Sequence, residues 1–89
     1  MIYATKIHMK YWCSQSQHPE EIEKICLDGY GWHTKEYLHD YLKQYPKSIA
    51  VNISPYPYLI PAISSGREKY VRSSPDPHKH DDLMDLPRE

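Results

Sequence analysis

One stretch of this chain repeats its apolar residues with the period of a helix, and it is bracketed at both ends. Tyr37, Leu38, Tyr41, Leu42 and Tyr45 fall at i, i+1, i+4, i+5 and i+8, which is one apolar stripe on a helical surface. Thr34 precedes the stripe, and its hydroxyl can accept an amide hydrogen of the first turn. Glu36 lies where the positive helix end favours an anion. Pro46 ends the run, because it biases Tyr45 away from helical angles. The spacing predicts a helix over residues 35–45, packing Leu38, Tyr41, Leu42 and Tyr45 on a sheet.

The other apolar patterns have period two or are too short for a helix. Residues 2–12 alternate, with Tyr3, Thr5, Ile7, Met9 and Tyr11 on one face and Lys6, His8 and Lys10 on the other, as in a half-buried strand. Residues 13–21 are polar and contain a proline, so they read as a loop. Residues 22–27 form a second strand with Ile25 and Leu27 inward. Asp28-Gly29 then turns the chain, and Gly31 repeats the turn signal. After the helix, residues 48–53 form a third strand with Ile49, Val51 and Ile53 inward. An extended proline loop follows at Ser54–Pro57. Residues 58–63 make a fourth strand, at an edge or bulged because Pro61 lacks a ladder hydrogen. Ser64-Ser65-Gly66 turns into a fifth strand over residues 68–73. The expected fold is α+β: a small, mostly antiparallel sheet in the order β-β-α-β-β-β, with one helix packed on one face.

At 89 residues the chain is expected to form a single domain spanning residues 1–89. Area scaling gives a folded surface of roughly 5,500 Å². Eleven Lys and Arg stand against twelve Asp and Glu, so no global basic field collects nucleic acid. Nine tyrosines and two tryptophans with no phenylalanine suit half-buried faces and binding surfaces, since tyrosine needs a partner or water for its hydroxyl. No apolar run approaches membrane-spanning length, so no membrane partner is expected. Residues 1–11 carry no export signal, and the expected compartment is the cytoplasm.

Cys13 and Cys26 flank the first hairpin loop and match neither a C-x-x-C nor a zinc framework. In the cytoplasm they read as two reduced thiols rather than a disulfide. Asp28-Gly29-Tyr30-Gly31 lacks the third glycine and the β-α-β setting of a dinucleotide site. No catalytic or cofactor constellation stands out. For a metal, the candidates are His78 and His80, which project to one side of an extended segment, with Asp76 to close the set. Tyr56, Tyr58 and Tyr70 with Arg67, Lys69 and Arg72 have the makings of a stacking platform with phosphate contacts.

Residues 74–89 are rich in proline and carboxylates, yet Leu83, Met84 and Leu86 interrupt the polar run. Leu83 and Leu86 at i, i+3 can share one helical turn. The segment is therefore expected to fold back on the sheet. Arg72 would engage Asp81 or Asp82, while Leu83 and Leu86 cover apolar atoms.

The run Tyr70, Val71, Arg72, Ser73, Asp76, Asp81, Leu83, Leu86 and Pro87 resembles the signature of a small bacterial and phage family described as a domain of unknown function. The pattern tends to carry Asn where this chain has Asp82. The resemblance implies a compact independent domain and no activity.

Together these features favour a non-enzymatic interaction module that presents an aromatic face or an edge strand to a protein partner. Tyr70, Tyr58, Tyr56, Trp32 and Arg72 are the candidate surface residues. The alternatives are a single-stranded nucleic-acid binder using the same tyrosines and arginines, and a metal or enzymatic site at the C-terminal His/Asp cluster.

Overall fold

The computed structural model describes residues 1–76 and 79–89. Strand β1 (Ile2–Met9) pairs antiparallel with β2 (Ile22–Leu27), and β2 pairs antiparallel with β3 (Gly31–Thr34). Helix α1 (Lys35–Gln44) follows directly, and β4 (Ile49–Val51) returns parallel to the start of β1. These strands make one four-stranded sheet in the order β3-β2-β1-β4. Strands β5 (Ile60–Ile63) and β6 (Lys69–Arg72) form a separate antiparallel pair. The fold is α+β and mostly antiparallel, with a surface of 5621 Å². Among the described residues, no helix is long and apolar enough to cross a membrane.

The element order is thus β-β-β-α-β-β-β over two sheets, where the sequence pointed to two strands before the helix and one sheet. The added strand is β3. Gly29 and Gly31 take φ of 81° and 77°, in the left-handed region that favours glycine. The first closes the turn. The second, which reads in sequence as more turn, aims Trp32 and His33 back along β2.

Bulges also shift which side chains point inward. Ala4 pairs with Leu27 and Lys6 with Cys26, which leaves Thr5 as an extra residue in β1. The inward set is Ala4, Ile7 and Met9, not the unbroken Tyr3, Thr5, Ile7, Met9, Tyr11. A second irregularity, at Glu23, lets Ile22 join Ile25 and Leu27 inside.

Thr34 caps α1 by accepting the Tyr37 amide at 3.2 Å, and the helix stops before Pro46. Its buried face is Lys35, Leu38, His39 and Leu42, while Tyr41 is only partly buried against the core and Tyr45 is exposed. Leucine enters the core because it brings no polar atom, whereas a tyrosine hydroxyl retains access to water. His39 keeps its place inside by donating from Nδ1 to the Tyr70 carbonyl at 3.1 Å.

Lys35 is the unexpected member of that face. Its ammonium lies 3.3 Å from Glu68 and 3.4 Å from Glu36, and Lys10 pairs with the same Glu68. Lys10 above all, with Lys35, holds the Glu68 carboxyl below its usual range. Lys69 does the same to Asp40, and the Ser16 hydroxyl to Glu21. A carboxyl whose folded pKa lies below its unfolded value stabilises the fold above the unfolded value, and that contribution is lost as pH falls through the folded one. Stability is therefore expected to fall below about pH 4.5, the ordinary glutamate value. Glu68→Gln should cost at most about 1 kcal/mol at neutral pH, because Glu68 is partly exposed. It should also flatten the fall of urea midpoint with acid. Equal acid sensitivity in both proteins would remove Glu68 from the account.

The C-terminal residues close the core. Leu83, Met84 and Leu86 are buried, the first two inside a 3-10 turn over Asp82–Asp85. The Ile7 amide donates to the Pro87 carbonyl and the Glu89 amide to the Ile7 carbonyl, both at 2.9 Å. The chain end thus lies along β1 as a short parallel extension.

The carboxylate that ties this segment down is Asp81, and its partners are not Arg72. Asp81 accepts the Ser73 amide at 2.8 Å, the Ser74 amide at 3.2 Å and the Leu83 amide at 2.9 Å, and also the Ser73 hydroxyl. Arg72 instead donates from Nη2 to the Pro75 carbonyl at 2.9 Å. Backbone amides next to the turn reach Asp81 with little side-chain entropy to lose, so they displace a long guanidinium from that role. Asp82 makes no such contacts among the described residues.

Candidate functional site

Strand β3 is the open edge of the four-stranded sheet, so one side of its backbone carries unpaired hydrogen-bonding groups. Aromatic side chains flank this edge on both faces. On the outer face Trp32, 41% exposed, meets the His8 ring edge-on at 6.4 Å. With Lys24 and Glu89 they line a groove of about 330 Å³.

On the helix face, His33 donates from Nε2 to the Tyr30 carbonyl at 3.1 Å, which fixes the ring. That ring stacks on Tyr37 with centroids 5.1 Å apart and planes 20° apart. Tyr37 stacks in turn near Tyr41 at 6.4 Å, and Tyr41 meets Tyr45 at 5.0 Å. Tyr30, Tyr37 and Tyr45 are more than half exposed. A second groove, about 200 Å³ and mostly apolar, opens between this ladder and Leu27, Leu38 and Ile49.

The ladder was present in the sequence as tyrosines at i, i+4 and i+8, which read there as core. Two stripes about 100° apart share α1, since consecutive helical residues are separated by that angle. The leucine stripe faces in and the tyrosine stripe faces out along the β3 side. Exposed aromatic area of this kind is typical of binding surfaces.

The surface residues expected from sequence do not form one patch. Trp32 is at the β3 edge. Tyr58 pairs through Ala50 beyond β4, at the opposite side of the sheet. Tyr56 contacts Tyr3 edge-on at 5.9 Å. Tyr70 is buried, 7% exposed, on the β6 face opposite the core residue Val71, where it lies beside residues 17–20. Lys69 pairs with Asp40 at 2.9 Å, and Arg72 is held at Pro75. The stacking platform of Tyr56, Tyr58 and Tyr70 with Arg67, Lys69 and Arg72 is therefore not assembled.

Of the metal candidates, His78 lies outside the described residues. His80 pairs with Asp85 at 2.8 Å. Among the described residues no three His, Cys, Asp or Glu side chains are grouped to hold a metal ion.

Cys13 and Cys26 are both free thiols. The Cys13 thiol donates to Glu21 at 3.0 Å, and that bond together with partial burial raises its pKa. A thiol so held is a weaker nucleophile at neutral pH than a free one.

No protein-family model matches the chain, and no curated protein or solved structure is similar to it.

Proposed function

We propose that this protein is a non-enzymatic interaction module that takes an extended segment of a protein partner onto the β3 edge as an added strand. The carrying observation is the open edge Gly31–Thr34, with exposed Trp32 on one face and the stacked His33 and Tyr37 rings on the other. Added-strand recognition draws affinity from main-chain hydrogen bonds and specificity from pockets for alternate side chains. Here successive partner residues meet Trp32 on one side and His33, backed by Tyr37, on the other. The four-residue length of β3 limits indiscriminate pairing. The reading places the protein in the cytoplasm, where both thiols stay reduced.

Selection of extended peptides from a random displayed library tests it. Selected peptides are expected to alternate apolar residues and to slow amide exchange at Gly31–Thr34. Trp32→Ala should weaken binding about tenfold, a loss typical of an aromatic anchor. N-methylation of alternate peptide amides should weaken it further in one phase of the alternation only. Selected peptides that protect other strands, and bind Trp32→Ala as well as wild type, would refute the proposal.

A further inference from the structure

We infer that a polar cavity separate from the β3 edge binds a small oxyanion, a carboxylate or a phosphate group, through the Arg72 guanidinium. The cavity holds about 170 Å³ and shares no lining residue with the β3 edge. Three separate stretches build it: residues 17–20, the β6 residues Tyr70 and Arg72, and residues of the 74–81 segment. Tyr70 and Arg72 stand at i, i+2 on β6 and so share a face, and the small exposed part of Tyr70 belongs to this wall.

Hydrogen-bond accounting selects the ligand class. The buried carboxylate on the wall, Asp81, already has its donors. Asp81 takes the Ser73, Ser74 and Leu83 amides, Asp76 is engaged, and Glu20, 43% exposed, has water and the His18 ring at 3.8 Å beside it. Arg72 is the reverse case. Among the described residues it forms no ion pair, and its one hydrogen bond goes from Nη2 to Pro75. Its Nε is buried and has no partner among the described residues. An orphaned buried donor is rare in a folded protein and calls for an acceptor. Nε and Nη together form the fork that matches two oxygens of one carboxylate or phosphate. Arg72 lines the cavity, so the fork stands at its wall, and Lys79, exposed on the same lining, adds a second cation. The volume admits a ligand of a few heavy atoms, smaller than those of ordinary drug-sized sites.

Titration of the full chain with inorganic phosphate and, separately, with acetate tests the inference, at ionic strength held constant with chloride and followed by NMR. Saturable shifts of the Arg72 Nε–H and of the Tyr70 and Ser74 amides are expected. Response to phosphate alone assigns a phosphate ligand; response to acetate as well assigns the carboxylate class. Arg72→Lys keeps the charge and loses the fork, so affinity should drop about tenfold. Lys79→Gln, at an exposed position, should drop it about threefold. If Arg72→Lys does not fold, the wild-type Arg72 signal and Lys79→Gln decide. No saturation with either anion, shifts confined to exposed lysines (an adventitious ion only), or affinity unchanged in the variants would overturn the inference.

Discussion

A chain ended at Asp76 is expected to lose its cooperative unfolding transition at 25 °C. Leu83, Met84 and Leu86 are all less than 5% exposed, and each contributes roughly 1.5–3 kcal/mol by leaving water. Their sum, about 5–9 kcal/mol, is comparable with the roughly 4–13 kcal/mol expected for the whole domain. Truncation also strips Ile7 of its backbone partners at Pro87 and Glu89 and bares β1 to water. Circular dichroism and urea titration should show a non-cooperative, expanded chain. A truncated protein with a sharp transition near the wild-type midpoint would show that the leucines add little.

The second large effect is expected at Asp81. Replacement by alanine leaves the amides of Ser73, Ser74 and Leu83 without their acceptor and removes the cap of the Asp82–Asp85 turn. Each buried donor left unsatisfied costs about 1–3 kcal/mol, so the total should be about 3 kcal/mol or more. Asp81→Asn retains one acceptor oxygen and should cost about half as much. Asp82→Ala, one residue on, should stay within about 0.5 kcal/mol. Urea midpoints at unchanged slope measure all three. Equal losses at positions 81 and 82 would mean that charge near the turn, rather than this set of bonds, is what holds the segment.

The legible part of the fold was the part set by local chemistry. Thr34 and Pro46 bounded the helix because capping and the missing proline amide act within a few residues. The alternation of β1 and β2 announced strands, but not the bulge at Thr5, because nothing local marks where an extra residue is tolerated. Strand β3 was hidden by the glycines at 29 and 31, one in the turn and one at the strand start, which read alike in sequence. Lys35 and His39 were invisible as core residues. Their burial depends on Glu68 and the Tyr70 carbonyl, both some thirty residues away in sequence. The aromatic edge suffered most: the tyrosines at 37, 41 and 45 carry the same period whether they face the core or the solvent. Only competition with Leu38 and Leu42 for the interior decides it.

The docking of the chain end on β1 bears on how the molecule is reached in time. His8 and Glu89 meet across a separation of 81 residues, and β4 occupies the same side of β1 nearer its start. A contact of that span closes a long loop, which is slow and yields nothing until both ends are in place. During synthesis the helix and the β1-β2-β3 meander can form from neighbouring residues, while the flank of β1 past Ala4 waits for residues 83–89, made well after them. Through that interval the nascent protein presents an uncapped strand over an unfinished core, the condition under which newly made chains most readily associate with one another.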